Sequence, residues 1–361
     1  MHLLKANCLA AAVLLGACAG VSAPAQAQAP AVASAPIEVK VVVVSMFEIG
    51  ADTGDAPGEF QLWYEGQQLQ TRFKFAHHHD LFMNAKTGVL GMVTGEGTAN
   101  SATAVMELGM DPRFDLSHAY WVVAGIAGVN PKEASVGSAA WARYIVDGDL
   151  AYEIDAREIP KGWTTGIFPL ESKRPWDPKA MPAKGQLFEL NRPLVDWAYG
   201  LTRQVNLGDN DQIRASRARY KGYPNALKPP FVLEGDDMGS MHFWHGKLMN
   251  DWANQWMRFW THGKGDLVMS AMEDTGTLVS LTYLSPTGRV NKDRVLVLRT
   301  GSNYTMPPPG VSAAQNLAGE HETSYSGLGP AVHAAYTVGS VVVDELVRNW
   351  SVYRDHPPPL Q

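Results

Sequence analysis

Met272 and Glu273 stand where a short apolar run, Asp266 to Met269, gives way to helical spacing from about Thr275. A carboxylate at such a junction can accept hydrogen bonds from both hydroxyls of a vicinal diol, and the methionine beside it offers soft apolar contact. A first-turn glutamate that only complements the helix dipole is the plainer alternative. Glu48 closes the run Val41-Val42-Val43-Val44-Ser45-Met46-Phe47-Glu48, at the point where a buried strand emerges. A carboxylate there can take a proton from water if partial burial lifts its pKa toward the working pH, and an exposed loop glutamate fits the same letters. The turn Thr94-Gly95-Glu96-Gly97-Thr98-Ala99-Asn100-Ser101 follows a second apolar run, Val89 to Val93, and opens a helical segment that reaches Leu108. Its glycines let backbone pass close to a ligand, and free N–H groups at a helix start donate to anions or hydroxyls, although many such turns serve only to turn. Phe243-Trp244 can stack on a planar heterocycle or fill the core, and Ser302-Asn303 can hydrogen-bond a ring nitrogen or simply form a turn.

Other chemistries fit poorly. Consecutive side chains in His77-His78-His79-Asp80 point in different directions, and His242 and His245 lack an evident third partner, so no metal is expected. The Gly-x-Gly turn lacks the third glycine and the distal acid of a dinucleotide fingerprint, and no cofactor is expected. Both cysteines, Cys8 and Cys18, lie near the N-terminus, which excludes a disulfide or cysteine nucleophile beyond it. The net charge is only −6 and no basic stripe with interleaved aromatics occurs, so nucleic acid is an unsuited partner.

Positioning such residues requires strands that end at one place. Val39 to Ser45, Val89 to Val93 and Tyr120 to Ala124 have the β-branched or apolar character of strands buried on both faces, and Asp266 to Met269 and Arg294 to Arg299 extend the series. Helical spacing runs over Asn100 to Leu108, Val195 to Val205, Met249 to Trp260, Thr275 to Leu284 and Pro330 to Tyr353. Strands alternating with helices predict an α/β fold with a mainly parallel sheet and function at the strands' carboxyl ends. Residues 36–361 read as a single domain with surface insertions at about 163–191 and 207–230, and with a loop from Met306 through Ser326 able to cover a site. Residues 1–29 read as a signal peptide, with Lys5, an apolar stretch from Leu9 to Gly16 and a small-residue cleavage site at Ala25 to Ala29. Leu15-Gly16-Ala17-Cys18 also resembles a lipoprotein box, so a lipid anchor at Cys18 is the alternative to a soluble periplasmic product. Beyond the leader no apolar run approaches the roughly 18–20 residues needed to span a bilayer.

Taken in order, Glu48, the Gly95 to Ser101 turn, Ala124-Gly125-Ile126-Ala127-Gly128, Phe243-Trp244, Ala271-Met272-Glu273 and Ser302-Asn303 resemble the nucleoside phosphorylase and nucleosidase superfamily. The full mature chain is similar to the purine nucleoside permease family within it. The resemblance implies a three-layer phosphorylase-like fold with a central mixed, mainly parallel sheet flanked by helices. It implies that Met272 and Glu273 contact ribose, that Phe243 stacks on the base with Trp244 beside it, and that Gly95, Glu96, Gly97 and Asn100 line the pocket near the ribose. Glu48 falls where nucleosidases keep the glutamate that activates water. Asn303, with Ser302 before it, stands where many members have the aspartic acid that protonates purine N7. An amide donates a hydrogen bond but no proton, so leaving-group activation would be weaker though not absent. Val122-Val123-Ala124 lacks the phosphate-binding arginine of hexameric phosphorylases and Asn100 replaces their serine, which disfavours phosphorolysis. The expected function is periplasmic purine nucleoside binding that serves uptake indirectly, through a separate membrane carrier. A purine nucleoside N-ribosyl hydrolase is the alternative, and a homo-oligomer is compatible with either.

Overall fold

Four consecutive valines leave neither face of a strand suited to water, and Val41–Ser45 is buried along its whole length. In the computed structural model, which describes residues 35–323 and 325–359, this strand lies inside a large mixed sheet. The expected leader, with Cys8, Cys18 and both cleavage readings, lies outside the described residues. The strands that matter below are β1 (Val41–Ser45), β2 (Val89–Val93), β3 (Tyr120–Val129), β4 (Asp236–Gly239), β5 (Leu267–Ala271) and β6 (Val295–Tyr304). The helices are α1 (Gln61–Gly66), α2 (Thr98–Met110), α3 (Arg192–Thr202), α4 (Asp211–Ala218), α5 (Lys247–Trp260), α6 (Asp274–Leu284), α7 (Ala313–Thr323) and α8 (Leu328–Arg348).

β1 pairs in parallel with β2 on one edge and with β3 on the other, and β6 runs parallel to β3 along the opposite edge of β3. The expected parallel character therefore holds at the centre. Toward the margins the sheet turns antiparallel, as where Thr71–Phe73 pairs with Leu81–Asn84 and Leu187–Glu189 pairs with Tyr144–Asp147. β3 changes partner midway: residues 120–123 pair with β1, whereas Val129 and Gly128 pair antiparallel with β5. Residues 124–127 lie between these two ladders. Beside them β6 shifts register between Gly301 and Asn303, a bulge that re-aims its last side chains.

Helices cover this framework because their apolar stripes demand it. α8 buries Ala331, Ala335, Val338, Val342 and Leu346, a helical stripe laid against β3 and β6. Gly339 lies on this face, where an added Cβ would sit 2.7 Å from the Trp63 ring of α1. Among the described residues, no helix is long and apolar enough to cross a membrane. Several elements go beyond the sequence pattern. β3 and β6 continue past Ala124 and Arg299 through glycine-containing segments, because ladder bonds to neighbours outweigh weak strand propensity. The insertion at 207–230 contains α4, capped by the Asn210 side chain on the Ile213 N–H, and the loop after Met306 contains α7. The expected Pro330 to Tyr353 helix is α8 followed, across Asn349, by a one-turn helix, Trp350–Tyr353.

The tightest helix contact is between α2 and α6. Ser101 Oγ donates to the Glu273 carbonyl at 2.8 Å and Thr98 Oγ1 to the Met272 carbonyl at 3.0 Å. Gly276 permits this approach, since a Cβ there would lie 2.1 Å from the Thr98 carbonyl oxygen. Alanine is the better helix former by about 1 kcal/mol, but a backbone clash of this depth cannot be relieved by a rotamer change. Gly276→Ala is expected to destabilise the protein by roughly 1–3 kcal/mol through overpacking, read from urea denaturation midpoints; a stabilised variant would show that the two helices separate freely.

Candidate functional site

Two buried ionisable side chains converge where β3 exchanges β1 for β5. Glu59, only 2% exposed, stands just before Phe60, the N-cap of α1. Its Oε2 accepts from the Met46 N–H at 2.7 Å, just past the end of β1, and its Oε1 accepts from the Ile126 N–H at 2.6 Å, in the interval between the two ladders. One carboxylate thus satisfies backbone donors on both strands. Opposite, Arg299 of β6 donates from Nη1 to the Ile126 carbonyl at 3.1 Å. The rest of its guanidinium holds Asp274 through Nε at 3.0 Å and Nη2 at 2.8 Å, and Glu273 through Nη2 at 3.1 Å. Glu273 is further fixed by the Gly97 N–H at 3.0 Å and by the Met272 N–H at 3.2 Å.

Burial dominates the electrostatics. It pushes the Glu59 carboxyl up to about 8 from an ordinary 4.5, against the attraction of Arg299 and with added repulsion from Glu273. Burial likewise raises Glu273, opposed chiefly by Arg299 and by the Gly97 N–H. Glu59 and Glu273 line one pocket together with Glu96, Phe243, Met272, Ser302, Asn303 and Tyr325. The charged groups of that lining are all carboxylates, and the nearby guanidinium is already engaged, so a phosphate dianion would meet repulsion there.

The structure thus brings together Glu96, Phe243, Met272, Glu273, Ser302 and Asn303 from the sequence reading. Trp244 lines a small adjoining cavity that shares Phe243, Met272 and Asn303 with the pocket. Phe243 is half-exposed, its ring parallel to that of Tyr325 within 6° at 6.4 Å between centroids. Asn303 Oδ1 accepts from Ser302 Oγ at 3.0 Å, which leaves its amide N–H₂ with only a long contact of 3.5 Å to the Tyr304 carbonyl.

Glu48 does not join them. Its carboxylate turns to backbone N–H groups of the following loop and of the start of α1, accepting from Gly58, Phe60 and Gln61 and from its neighbour Ile49. It closes the loop 49–58 and caps α1, and the carboxylate that reaches the end of β1 in the pocket is Glu59, from just before α1. The glycine turn is also placed differently from expectation: of Gly95, Glu96, Gly97 and Asn100, only Glu96 lines the pocket. Gly97, with φ of 91°, aims its N–H at Glu273, and Asn100 Nδ2 donates to the Glu96 carbonyl at 2.8 Å. The turn orients the acid that faces the pocket. The histidine run is dispersed, with His77 and His78 toward Glu107 and His79 toward Asp52.

A large mixed sheet flanked by helices, with this pocket where the ends of β1 and β5 approach β3, is the architecture of a nucleosidase-like fold. Futalosine hydrolase of Helicobacter pylori superposes over 85% of this chain and 98% of its own, with a TM-score of 0.51 at 13% identity. A point mutant of the nucleosidase MTAN from the same organism, solved with 5′-methylthioadenosine in its active site, covers 85% of this chain and 99% of its own, with a TM-score of 0.51 at 14% identity. The family is narrower than the fold: residues 38–358 match the purine nucleoside permease model, and the chain belongs to that family. A probable purine nucleoside permease of Schizosaccharomyces pombe is 32% identical over 280 residues, 75% of this chain and 79% of the relative. A purine nucleoside permease of Candida albicans is 27% identical over 277 residues, 75% of this chain and 67% of the relative.

Sequence reasoning missed Glu59, Arg299, Asp274 and Tyr325. A signal for Arg299 was present, since an arginine inside Val295-Leu296-Val297-Leu298 must be buried and must find carboxylates. Glu59 was masked by Glu48, which occupies the expected strand end while the loop 49–58 carries the chain back. The raised Glu59 pKa has a consequence for stability. Between about 4.5 and about 8 the native state holds a proton that the unfolded chain has lost, so this group makes stability fall as pH rises through that window. Glu59→Gln lacks this dependence. Its stability relative to the wild type should therefore improve steadily across that window in urea denaturation; parallel profiles would show that Glu59 ionises normally.

Proposed function

We propose that this chain binds purine nucleosides in the Glu59–Glu273 pocket and hydrolyses their N-glycosidic bond. The observation that carries this reading is Glu59: a buried carboxyl, held by two backbone donors at the pocket floor, with a pKa near working pH. Each of its oxygens keeps a lone pair free to accept from a water. Once ionised, Glu59 takes a proton from that water as the water oxygen attacks C1′, and the C1′–N9 electron pair leaves with the purine. Glu273 accepts from the ribose hydroxyls, and its negative charge suits the oxocarbenium-like character that develops on the sugar. The base lies against Phe243 and Tyr325, where the Asn303 amide donates to the departing ring; solvent supplies the proton that the purine gains. Water replaces phosphate in this scheme because the pocket offers only carboxylates as charged groups.

Capture without cleavage is the second reading. Asn303 favours it, since an amide has no proton to give the leaving group, and so do the permease names of the relatives. Under either reading a role in uptake runs through a separate membrane carrier, and export by the leader would place the pocket in the periplasm. Hydrolysis there would deliver free base for uptake.

With inosine or adenosine and no phosphate, the purified protein should release free base, and kcat/KM should rise with pH toward a plateau above about 8 as Glu59 ionises. Glu59→Gln should lower that rate by at least ~100-fold while nucleoside binding by calorimetry persists. Binding with no base released over long incubation at high protein concentration would establish capture alone. Glu273→Ala should weaken nucleoside affinity by about 10- to 100-fold and leave free purine nearly unaffected; equal losses for both would remove the ribose assignment.

A further inference from the structure

Behind the pocket, one guanidinium faces more carboxyl groups than it can neutralise. Arg299 is ringed by Asp274, Glu273 and Glu59, and Asp237 of β4 lies buried beside Asp274 and also faces Arg299. All five residues are at most 6% exposed. Four ionised carboxylates and one cation would leave an uncompensated charge that a buried site cannot sustain, so some of the acids must hold protons. Asp237 is one of them: no N–H group donates to its oxygens, its carboxyl meets that of Asp274 in a side-chain hydrogen bond that needs a proton between them, and burial beside Asp274 drives it well above the usual range. The remaining positive charge is divided by geometry. Asp274 takes the two-point grip of Nε and Nη2, Glu273 shares Nη2, and Nη1 is spent on the Ile126 carbonyl.

We propose that Asp274, which lines no part of the pocket, sets the ionisation of Glu59 by occupying most of the Arg299 charge. Asp274 is in this sense a positioning residue, and the proposal rests on reading Glu59 as the base. The other charged groups around Glu59 act in known directions. Glu273, at the junction of β5 and α6, repels it; Arg299, from β6, attracts it. Glu96 lies on the pocket wall, and Glu48 holds the backbone on either side of Glu59. Removing the Asp274 charge leaves the Arg299 guanidinium less compensated, which favours the ionised form of Glu59. The device has a use: a base paired tightly with arginine would be ionised but weakly basic, whereas a base deprived of that pairing keeps a proton affinity matched to neutral pH.

The test reads Glu59 directly in the unliganded protein. Infrared titration of the protonated-carboxyl band, assigned by its loss in Glu59→Gln, gives the protonation midpoint without any turnover. Asp274→Asn should move that midpoint down by about one pH unit or more, a tenfold rise in ionised fraction at a fixed pH well below it. Asp274→Ser, equally uncharged and smaller, should do the same and serves if the asparagine variant does not fold. Asp237→Asn replaces a group already neutral and should leave the midpoint in place. An unmoved midpoint in a folded Asp274 variant, or an equal shift in Asp237→Asn, overturns the proposal. A shifted midpoint in a protein that releases no base removes the hydrolytic reading alone. Hydrolysis with an unmoved midpoint removes this inference alone.

Discussion

A guanidinium 1% exposed in the middle of a central strand is the constraint around which this structure is arranged. Burying such an ion costs several kcal/mol unless hydrogen bonds and opposite charge surround it, and leaving it unpaired costs about 3–5 kcal/mol. Arg299 therefore requires Asp274 and Glu273 to be at the start of α6, and it requires the Ile126 carbonyl to be free of a ladder partner. That carbonyl is free because β3 changes neighbours at this point. The break in the sheet, the buried ion cluster and the pocket are three aspects of one packing solution.

Glu59 completes the same solution from the other side. The interval in β3 leaves the Ile126 N–H in need of an acceptor, as does the Met46 N–H past the end of β1, and buried donors without acceptors are costly. A single carboxylate meets both needs, which locates a titratable group where the strand ends converge. The acid that repairs the backbone is thereby the acid best placed to meet a water in the pocket. Its proton affinity follows from how Arg299 is shared rather than from its own contacts alone.

The glycine turn before α2 takes its meaning from this arrangement. A Gly-x-Gly turn at a helix start suggests an anion site, and the Gly97 N–H does bind a carboxylate, but the carboxylate is Glu273 of the protein itself. The close approach of α2 to α6, permitted by Gly276, brings the donor within reach. The fold shared with nucleosidases thus rests here on contacts between segments about 175 residues apart in sequence.

Residue types alone are enough to set the layers and half the pocket. Continuous valine runs can only be interior strands, helical stripes must cover them, and Met272-Glu273, Phe243 and Ser302-Asn303 fall at strand ends whatever the detailed packing. They could not choose between Glu48 and Glu59, because both are glutamates near the end of β1 and the difference lies in the path of the loop 49–58. Nor could they show that β3 switches partners, since a ladder is a property of two segments and residue type describes only one side of it. The alternation of residue types is a local property and survives in the sequence. The pKa of Glu59, the sharing of Arg299 and the partner of Gly97 depend on distances between remote segments, and those exist only once the chain has folded.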